Sequence, residues 1–261
     1  MMLAGCGTVS EETAMEISVY DSGKADAVLF ETSAGFVLMD TGLEENGEAL
    51  AESLKEDGVE SIYALIITHF DKDHVGGAAY ILENFDVKYV YESIGTKSSD
   101  EIESYRKALE DKGITPVVVQ GDESFYLGGV LFSINGPEEE YEDDSSNNSS
   151  LITMVTCGDV KSLWMGDAET DRIKDYMEEK SVEADLLKVP YHGHYQKVLK
   201  TLVPAVSPQD AVITNSDEDP DEDEIEKTVE ILEDAGADVY ETKDGTIRIH
   251  MTSTRYTIQQ E

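Results

Sequence analysis

The chain is poor in cysteine, in basic residues and in long apolar runs. Its two cysteines, Cys6 and Cys157, do not provide a disulfide framework for 261 residues. Cys157 stands in an apolar, strand-like segment, which predicts a small buried side chain. No stretch after the N-terminus is long and apolar enough to cross a bilayer. With 40% apolar residues, the sequence predicts one large or two small globular domains with a sizeable core.

Basic residues are scarce relative to acidic ones. Lysine and arginine number 19 against 57 aspartates and glutamates, which gives a formal charge of −38. Such a charge favours solubility and cation binding. It repels nucleic acid and anionic lipid headgroups unless a local patch or bound metal ions reverse the field. We interpret most of this acidity as adaptation of the surface to an external environment, and avid binding of nucleic acid is disfavoured.

Two of only five histidines lie within one short turn. The segment that begins at His69 and ends at His74 also contains Asp71 and Asp73. It follows the apolar run 62–67, which predicts a buried strand, and a helical pattern over residues 75–85 comes after it. Imidazole and carboxylate together suit zinc, manganese or iron. This density of ligand-type side chains at the end of a buried strand predicts a metal site rather than a solvated loop.

The N-terminus carries a motif of its own. The segment Leu3-Ala4-Gly5-Cys6, followed by a polar run, resembles a bacterial lipobox, in which the cysteine is lipidated after signal cleavage. The charged start and long apolar core of a signal peptide do not precede it. Either the true start lies upstream or the sequence begins inside the signal. Residues 1–14 are therefore predicted to be a lipobox remnant and polar linker. The protein is predicted to be a lipoprotein on the extracellular face of a bacterial membrane, and otherwise secreted or cytoplasmic.

Short strands and helices alternate along the rest of the chain. Three strands are predicted first, at 16–20, 25–31 and 35–39. Strands and helices then alternate in each half, which predicts an α/β fold of two similar halves packed sheet on sheet, with helices outside. Polar residues follow four of the predicted strands and are expected to line one edge of this sandwich: Asp40, the segment from His69 to His74, Asp167 and His192.

The order of these residues resembles the metallo-β-lactamase superfamily. Its metal motif, His-x-His-x-Asp-His followed by glycine, corresponds to the segment from His69 to Gly76. The strand-end aspartate before the motif matches Asp40, the bridging aspartate matches Asp167, and the final histidine matches His192. Four separated strand ends thus contribute to one pattern.

Within that superfamily the chain resembles the hydrolase domain of ComEC-like competence (DNA-uptake) proteins. The supporting stretches are 20–27, 147–151 and 187–193. The resemblance covers nearly all of the chain after the linker. It implies a four-layer αββα sandwich over residues 15–261.

The resemblance also implies one or two divalent metal ions, zinc or manganese. The second metal position would be formed by Asp73, His74, Asp167 and His192, and the first by His69, Asp71 and Asp167. Asp71 stands where the family usually has its second histidine, and a histidine that many members have before the bridging aspartate has no counterpart here. A carboxylate is a harder ligand, so the first position would prefer manganese or iron over zinc, or bind more weakly. Alternatively, Asp71 only hydrogen-bonds to the ligands.

The implied activity is hydrolysis by metal-activated water, with Asp73 orienting the water or accepting its proton. Only the resemblance supports a phosphodiester, including nucleic acid, as the substrate. One alternative is a small ester or lactone. Another is a non-catalytic, metal-stabilised surface lipoprotein that binds a partner. A β-lactam is disfavoured by Asp71 and the missing histidine, and the sequence does not give the oligomeric state.

Four further residues are predicted to contact the substrate because they lie near the motifs: Asn148, Ser150, Lys188 and His194. His194 has three possible roles. It could replace His192 as a ligand, donate a proton near the leaving group, or be a partly exposed loop residue.

Overall fold

The computed structural model describes residues 14–95, 97–141 and 146–261. The strands, numbered β1 to β15 in chain order, are Ala14–Val19, Val28–Thr32, Gly35–Met39, Ser61–Ile67, Asp86–Glu92, Val117–Val118, Gly121–Leu127, Val130–Gly136, Ile152–Cys157, Val160–Trp164, Leu186–Lys188, Asp210–Ile213, Asp238–Glu241, Ile247–Thr252 and Tyr256–Gln260. The α-helices, numbered α1 to α7, are Gly47–Glu56, Lys72–Val75, Ala78–Asn84, Asp100–Lys112, Thr170–Glu179, Leu199–Val206 and Glu222–Asp234.

These strands form two mixed sheets. The first has the order β15-β14-β1-β2-β3-β4-β5-β6, and the second has the order β13-β12-β11-β10-β9-β8-β7. Strands β3 to β6 run parallel in the first sheet, as β10 to β13 do in the second. The remaining pairs in each sheet are antiparallel. The predicted α/β fold of two similar halves is confirmed.

An apolar core fills the space between the two sheets. The ring of Phe30 on β2 meets the ring of Phe132 on β8 edge-on, with 5.5 Å between centroids, and meets Trp164 on β10 at 5.1 Å. Cys157 is buried in the same cluster, as its apolar context predicted. Edge-on aromatic pairs add to the free energy gained from burial alone, so these contacts help to hold the sheets in one relative position.

Helices cover the two outer faces of the sandwich. Helices α1, α3 and α4 pack on the first sheet through a buried cluster that includes Leu54, Ile81 and Tyr105. Helices α5 and α6 pack on the second sheet through Ile173 and Leu202, and α7 joins the same cluster. Each helix thus buries one apolar stripe, and the layers form the four-layer αββα sandwich. No helix in the described ranges is both long and apolar enough to span a bilayer.

Two predicted elements differ from the structure, and both lie beside the polar strand ends. The strand predicted at 25–31 begins only at Val28, because Asp26 lies in an irregular segment that follows a bend at residues 23–25. The Asp26 N–H donates to the Asp73 carbonyl at 3.0 Å, and its own carbonyl accepts from the Gly42 N–H at 2.8 Å. The helix predicted from residue 75 to 85 is interrupted at Gly77, between α2 and α3.

The paired glycines of the motif allow its turn to approach the loop after β3. A Cβ on Gly76 would lie 2.5 Å from the Glu44 backbone nitrogen and 2.8 Å from the Gly42 carbonyl oxygen, and one on Gly77 would lie 2.4 Å from the Thr41 carbonyl oxygen. Thr41 in turn donates its N–H and its hydroxyl to the His74 carbonyl, at 2.8 and 2.9 Å. The loop that carries Asp40 is therefore held against the turn that carries His74.

Candidate metal centre

The carboxyl ends of five strands from both sheets meet at one edge of the sandwich. Asp40 and His69 come shortly after β3 and β4, and Asp167, His192 and Thr214 come after β10, β11 and β12. Asp40 and His192 have φ angles of 56° and 50°, in the left-handed region that non-glycine residues seldom adopt. Backbone strain of this kind concentrates at functional sites.

Four side chains converge at what we call the inner position: Asp73, His74, Asp167 and His192. The Oδ2 atom of Asp167 lies 3.3 Å from His74 Nε2 and 3.2 Å from His192 Nε2. The Oδ2 atom of Asp73 lies 3.4 Å from His192 Nε2. Both Nε2 atoms are buried without a hydrogen-bond partner among the described residues. A divalent ion with ligand bonds of about 2.0–2.2 Å fits among donor atoms at these separations.

The other nitrogen of each inner imidazole is held by a second group. His74 Nδ1 lies 2.8 Å from Asp40 Oδ2, and Asp40 also accepts the N–H and hydroxyl of Thr68, at 2.8 and 2.7 Å. His192 Nδ1 donates to the Thr214 carbonyl at 2.8 Å. A carbonyl oxygen accepts only from a protonated nitrogen, so Nε2 of His192 is the atom left to bind a metal.

Sequence reasoning missed Asp26, which lies behind the inner position. Its carboxylate lies 3.9 Å from His74 Nδ1 and 3.6 Å from His192 Nδ1. These nitrogens are already bonded to Asp40 and to Thr214, so Asp26 faces the back of the imidazoles and does not compete for an ion at Nε2. The sequence signal that could have indicated Asp26 is a single aspartate flanked by two alanines in an apolar segment.

Lys188 pairs with Asp26 inside the protein. Its ammonium lies 2.5 Å from Asp26 Oδ2, donates to the Gly166 carbonyl at 3.0 Å and lies 3.7 Å from Asp167 Oδ1. The residue is 1% exposed. The contact of Lys188 with substrate stays a prediction. The ammonium lies behind the ligands, where its charge balances the carboxylates of Asp26 and Asp167.

Opposite charges dominate the electrostatics of the inner position. Burial by itself would lower the pKa of His192, but the Asp167 carboxylate and its neighbours raise it to about 9. The pKa of His74 is likewise raised well above its usual value, against burial, by Asp167, Asp40 and Asp26. Burial opposes ionisation of Asp167, yet the two histidines hold its pKa well below the ordinary value. Without a metal ion, His74 and His192 therefore retain protons at the place where a cation would bind.

His69 and Asp71 form what we call the outer position. His69 Nε2 is buried without a hydrogen-bond partner among the described residues and lies 3.9 Å from Asp71 Oδ2. The Oδ1 atom of Asp71 instead accepts hydrogen bonds from Lys97 and Ser146. Burial, followed by repulsion from His74, lowers the pKa of His69 to about 4. One Asp71 oxygen thus faces His69 and the other faces Lys97 and Ser146, so both predicted roles of Asp71 are compatible with its place.

The remaining predicted residues surround this centre. The Asn148 side-chain oxygen accepts the Arg172 N–H at 3.2 Å, and Ser150 Oγ accepts the Asp167 N–H at 3.1 Å. Both are buried, so they support the ligand loop, and their contact with substrate stays a prediction.

His194 points away from the inner position, toward the loop after β12. Its Nε2 lies 3.3 Å from Asp219 Oδ2 and its Nδ1 lies 3.8 Å from Asp221 Oδ2. His192 rather than His194 is therefore the histidine that the structure brings to Asp167. Cys6 lies outside the described residues, so its lipidation stays a prediction.

Comparison with known sequences identifies relatives that match most of the chain. The family model for the metallo-beta-lactamase superfamily matches residues 21–214. ComE operon protein 3 of Bacillus subtilis is 26% identical over 253 residues, which cover 89% of this chain and 32% of that protein. Recombination protein 2 of Haemophilus influenzae is 25% identical over 251 residues (94% and 30%), and competence protein ComA of Neisseria gonorrhoeae is 24% identical over 222 residues (82% and 30%). The chain thus spans about a third of the length of these curated relatives.

Solved structures share the architecture. The metallo-beta-lactamase fold protein YhfI from Bacillus subtilis superposes with a TM-score of 0.60 at 14% identity, covering 89% of this chain and 98% of that one. CmlA, a diiron beta-hydroxylase from Streptomyces venezuelae, superposes with a TM-score of 0.59 at 15% identity, covering 94% and 55%. At such identities the likeness shows the fold alone.

Proposed function

This chain belongs to the metallo-beta-lactamase superfamily, and we propose that it is a metal-dependent hydrolase that cleaves phosphodiesters. The observation that carries the proposal is a set of three buried imidazoles, those of His69, His74 and His192. Their Nε2 atoms have no hydrogen-bond partner among the described residues. A buried polar atom without a partner is costly, and one or two divalent ions would satisfy all three.

Each residue of the inner position has a role in this proposal. His74, His192 and Asp167 would hold the ion through Nε2, Nε2 and Oδ2. Asp73 is the least buried of the four inner side chains, since its side chain is 22% exposed. Although burial opposes it, the neighbouring imidazoles of His192 and His74 lower the pKa of Asp73. Asp73 is therefore ionised at neutral pH and would accept the proton of an attacking water molecule, which a bound divalent ion would acidify.

The donor set and the relatives together favour a phosphodiester. The outer position offers one imidazole and one carboxylate, and the inner position adds two carboxylates, those of Asp73 and Asp167. Carboxylate-rich sites suit harder ions such as manganese, which in turn suit phosphoryl oxygens. The relatives include proteins named for competence and for recombination, and these names support a DNA-related substrate.

A hydrolysis panel tests the proposal. The protein, purified without chelator and supplied with Mn²⁺ or Zn²⁺, would be assayed on a chromogenic phosphodiester, a single-stranded oligonucleotide, a lactone and a β-lactam. His74→Ala would be compared with His250→Ala, because His250 is half-exposed on β14 and pairs with Glu16, away from the site.

We expect metal-dependent cleavage of the phosphodiesters that His74→Ala abolishes and His250→Ala preserves. Faster cleavage of the lactone would support the small-ester alternative. Equal rates in wild type and His74→Ala would contradict the assignment of the site. An absence of bound metal at micromolar concentrations would contradict both the site and the mechanism. Bound metal without hydrolysis of any substrate would favour the non-catalytic, metal-stabilised alternative.

A further inference from the structure

A second group of metal-ligand side chains lies outside the inner and outer positions. It consists of His194, which follows the turn that carries His192, and of Asp219 and Asp221, which lie in the loop between β12 and α7. One donor atom from each of the three residues can be chosen so that all three atoms lie within 4.8 Å of one another. We call this group the loop site. No step of the proposed hydrolysis uses it.

Two carboxylates face the one imidazole of the loop site. His194 Nε2 lies 3.3 Å from Asp219 Oδ2, and the two side chains are 6% and 2% exposed. His194 Nδ1 lies 3.8 Å from Oδ2 of Asp221, whose side chain is 51% exposed. A neutral imidazole carries a single N–H, so it does not balance the charge of both carboxylates. A divalent cation held by one ring nitrogen would balance both.

The loop site borders an acidic cavity. Asp219 lines a cavity of about 370 Å³ beside α7, together with five other carboxylate side chains and one lysine, Lys243. The Lys243 ammonium is already paired with Glu241, one of those carboxylates, at 3.0 Å. The uncompensated carboxylates therefore create a local field that attracts cations.

Asn215, on the wall of the same cavity, gives an independent indication of a ligand. The residue is 1% exposed, and its side-chain oxygen is buried without a hydrogen-bond partner among the described residues. Its side-chain nitrogen donates to Glu241 Oε2 at 2.6 Å, which fixes the orientation of the amide. A buried acceptor without a donor is costly. Water bound to a cation in the cavity would supply the missing donor.

Lys24 is a weak competitor for the loop site. Its ammonium lies 3.7 Å from Asp219 Oδ2, and its side chain is partly exposed. Ion pairs of this kind contribute little to stability, so the ammonium can turn to solvent when an ion binds. The other oxygen of Asp219, Oδ1, accepts the Asp221 N–H at 3.0 Å. This bond keeps the two aspartates side by side.

We propose that the loop site binds a divalent transition-metal ion, for which Zn²⁺ is the best match. One imidazole nitrogen and two carboxylates are ligand types of zinc sites, with water as the remaining ligand. The imidazole disfavours Ca²⁺ and Mg²⁺, which take oxygen ligands. Because Asp221 is half-exposed and Lys24 competes, this ion should bind after those of the inner and outer positions.

An ion at the loop site would join the two segments that hold His192. His194 directly follows residues 191–193, whose φ angles are all in the left-handed region. The two aspartates belong to the segment that begins at Thr214, whose carbonyl accepts the His192 Nδ1 hydrogen. The ion would therefore fasten the loop after β12 to the turn after β11. Its role would be structural, outside the reaction itself.

Asp221→Ala is the variant of choice. The Asp221 side chain makes no capping hydrogen bond to α7, so its removal leaves the helix start intact. The matched control is Asp223→Ala, because Asp223 is an exposed aspartate in the first turn of α7 and its loss changes the net charge equally.

Zinc stoichiometry is the first measurement, by equilibrium dialysis against micromolar Zn²⁺ and elemental analysis. Asp221→Ala should bind one equivalent fewer than wild type, and Asp223→Ala should bind as much as wild type. Loss of a supporting residue already weakens metal binding about 10- to 100-fold, so loss of a ligand should weaken the last equivalent at least about 100-fold. Hydrogen exchange of residues 215–221 is the second measurement. Zinc should slow this exchange in wild type and Asp223→Ala but not in Asp221→Ala.

The double variant with His74→Ala separates the loop site from the inner position. The two losses of zinc should add, because the sites share no ligand. If Asp221→Ala binds as much zinc as wild type, or removes none beyond the loss in His74→Ala, the inference is overturned. Equal losses in Asp221→Ala and Asp223→Ala would indicate a local charge effect and would also overturn it. Neither measurement depends on catalysis, so the proposed function can fail while the loop site stands.

Discussion

The inner and outer positions are supplied by the same turn after β4, yet they are held in different ways. At the inner position both imidazoles are bonded on their far side, His74 to Asp40 and His192 to Thr214. At the outer position His69 Nδ1 lies 3.1 Å from the Thr68 hydroxyl, and Asp71 is shared with Lys97. The inner position is therefore oriented in advance, whereas the outer position has a competing cation at one of its two ligands.

The difference indicates how one turn can supply two sites of unequal affinity. Ligands whose orientation is fixed by hydrogen bonds bind a metal more tightly than ligands that must first be freed. A site with four donor side chains at the inner position and two at the outer one should therefore bind its first ion at the inner position. Variants that act on one position and not on the other test this difference in metal affinity.

The largest expected effect comes from removing one histidine at each position in turn. His74→Ala should lose the inner ion and reduce metal-dependent turnover by about a thousandfold or more, since several kcal/mol of transition-state stabilisation depend on it. His69→Ala should lose one equivalent of metal and retain part of the activity. Elemental analysis after dialysis and initial rates give both quantities. Identical losses in the two variants would show that the positions act as one unit.

A smaller effect is expected from Asp40→Asn, which keeps the shape of the side chain that orients His74. Loss of the carboxylate acceptor should weaken metal binding about 10- to 100-fold, measured by competition with a chromogenic chelator. The control is Asp57→Asn, because Asp57 also accepts two side-chain hydrogen bonds, from Tyr20 and Arg248, but outside the site. An unchanged affinity in Asp40→Asn would show that the inner position does not depend on this bond.

The pH dependence of metal binding should also distinguish the positions. Against burial, Asp167 raises the pKa of His192 to about 9, whereas burial lowers that of His69 to about 4. Below pH 9 an inner ion must displace the His192 proton and also the proton that the raised pKa of His74 retains, so its affinity should fall by more than about tenfold per pH unit. Near neutral pH no proton leaves His69. Calorimetry in two buffers of different ionisation enthalpy measures the released protons, and release of none at the first equivalent would contradict this order.

The same shift has a consequence for stability without metal. A histidine whose pKa is raised on folding stabilises the protein fully below its unfolded value of 6.5 and loses that contribution as pH rises through the folded value of about 9. Chelated protein should therefore melt at lower temperature at pH 9 than at pH 6.5. Metal-loaded protein should not show this decline.

Much of the site could be predicted from sequence because its ligands follow strands. Residues such as Asp40 and Asp167 stand out as polar positions at the ends of apolar runs, and parallel strands bring such ends to one edge. Asp26 could not be found in this way, because the apolar pattern of residues 25–31 conceals the irregular segment in which it lies. Its bonds to Asp73 and Gly42 are tertiary contacts, and no local pattern encodes them.

The roles of charged residues were harder to predict than their positions. Lys188 and Asp26 are 162 positions apart, and their ion pair exists only because β11 ends beside the bend before β2. Likewise Lys97 follows β5 and meets Asp71 only in the folded chain. The sequence therefore identified the metal-ligating residues. It did not show that Lys188 balances the charge of Asp26 or that Lys97 competes with a metal ion for Asp71.

The smallest expected effect concerns the competition between Lys97 and a metal ion for Asp71 at the outer position. Lys97→Gln removes the ion pair from Asp71 Oδ1 and leaves the inner position unaltered. Because a partly exposed pair of this kind is worth about 0–1 kcal/mol, the second equivalent of Mn²⁺ should bind up to about fivefold more tightly, and the first should bind as before. Lys72→Gln is the control, since Lys72 lies on the same turn, carries the same charge and forms no ion pair or side-chain hydrogen bond with Asp71 in the described part of the chain. Tighter binding of both equivalents in both variants would mean that net charge, and not the Lys97–Asp71 pair, sets the affinity of the outer position.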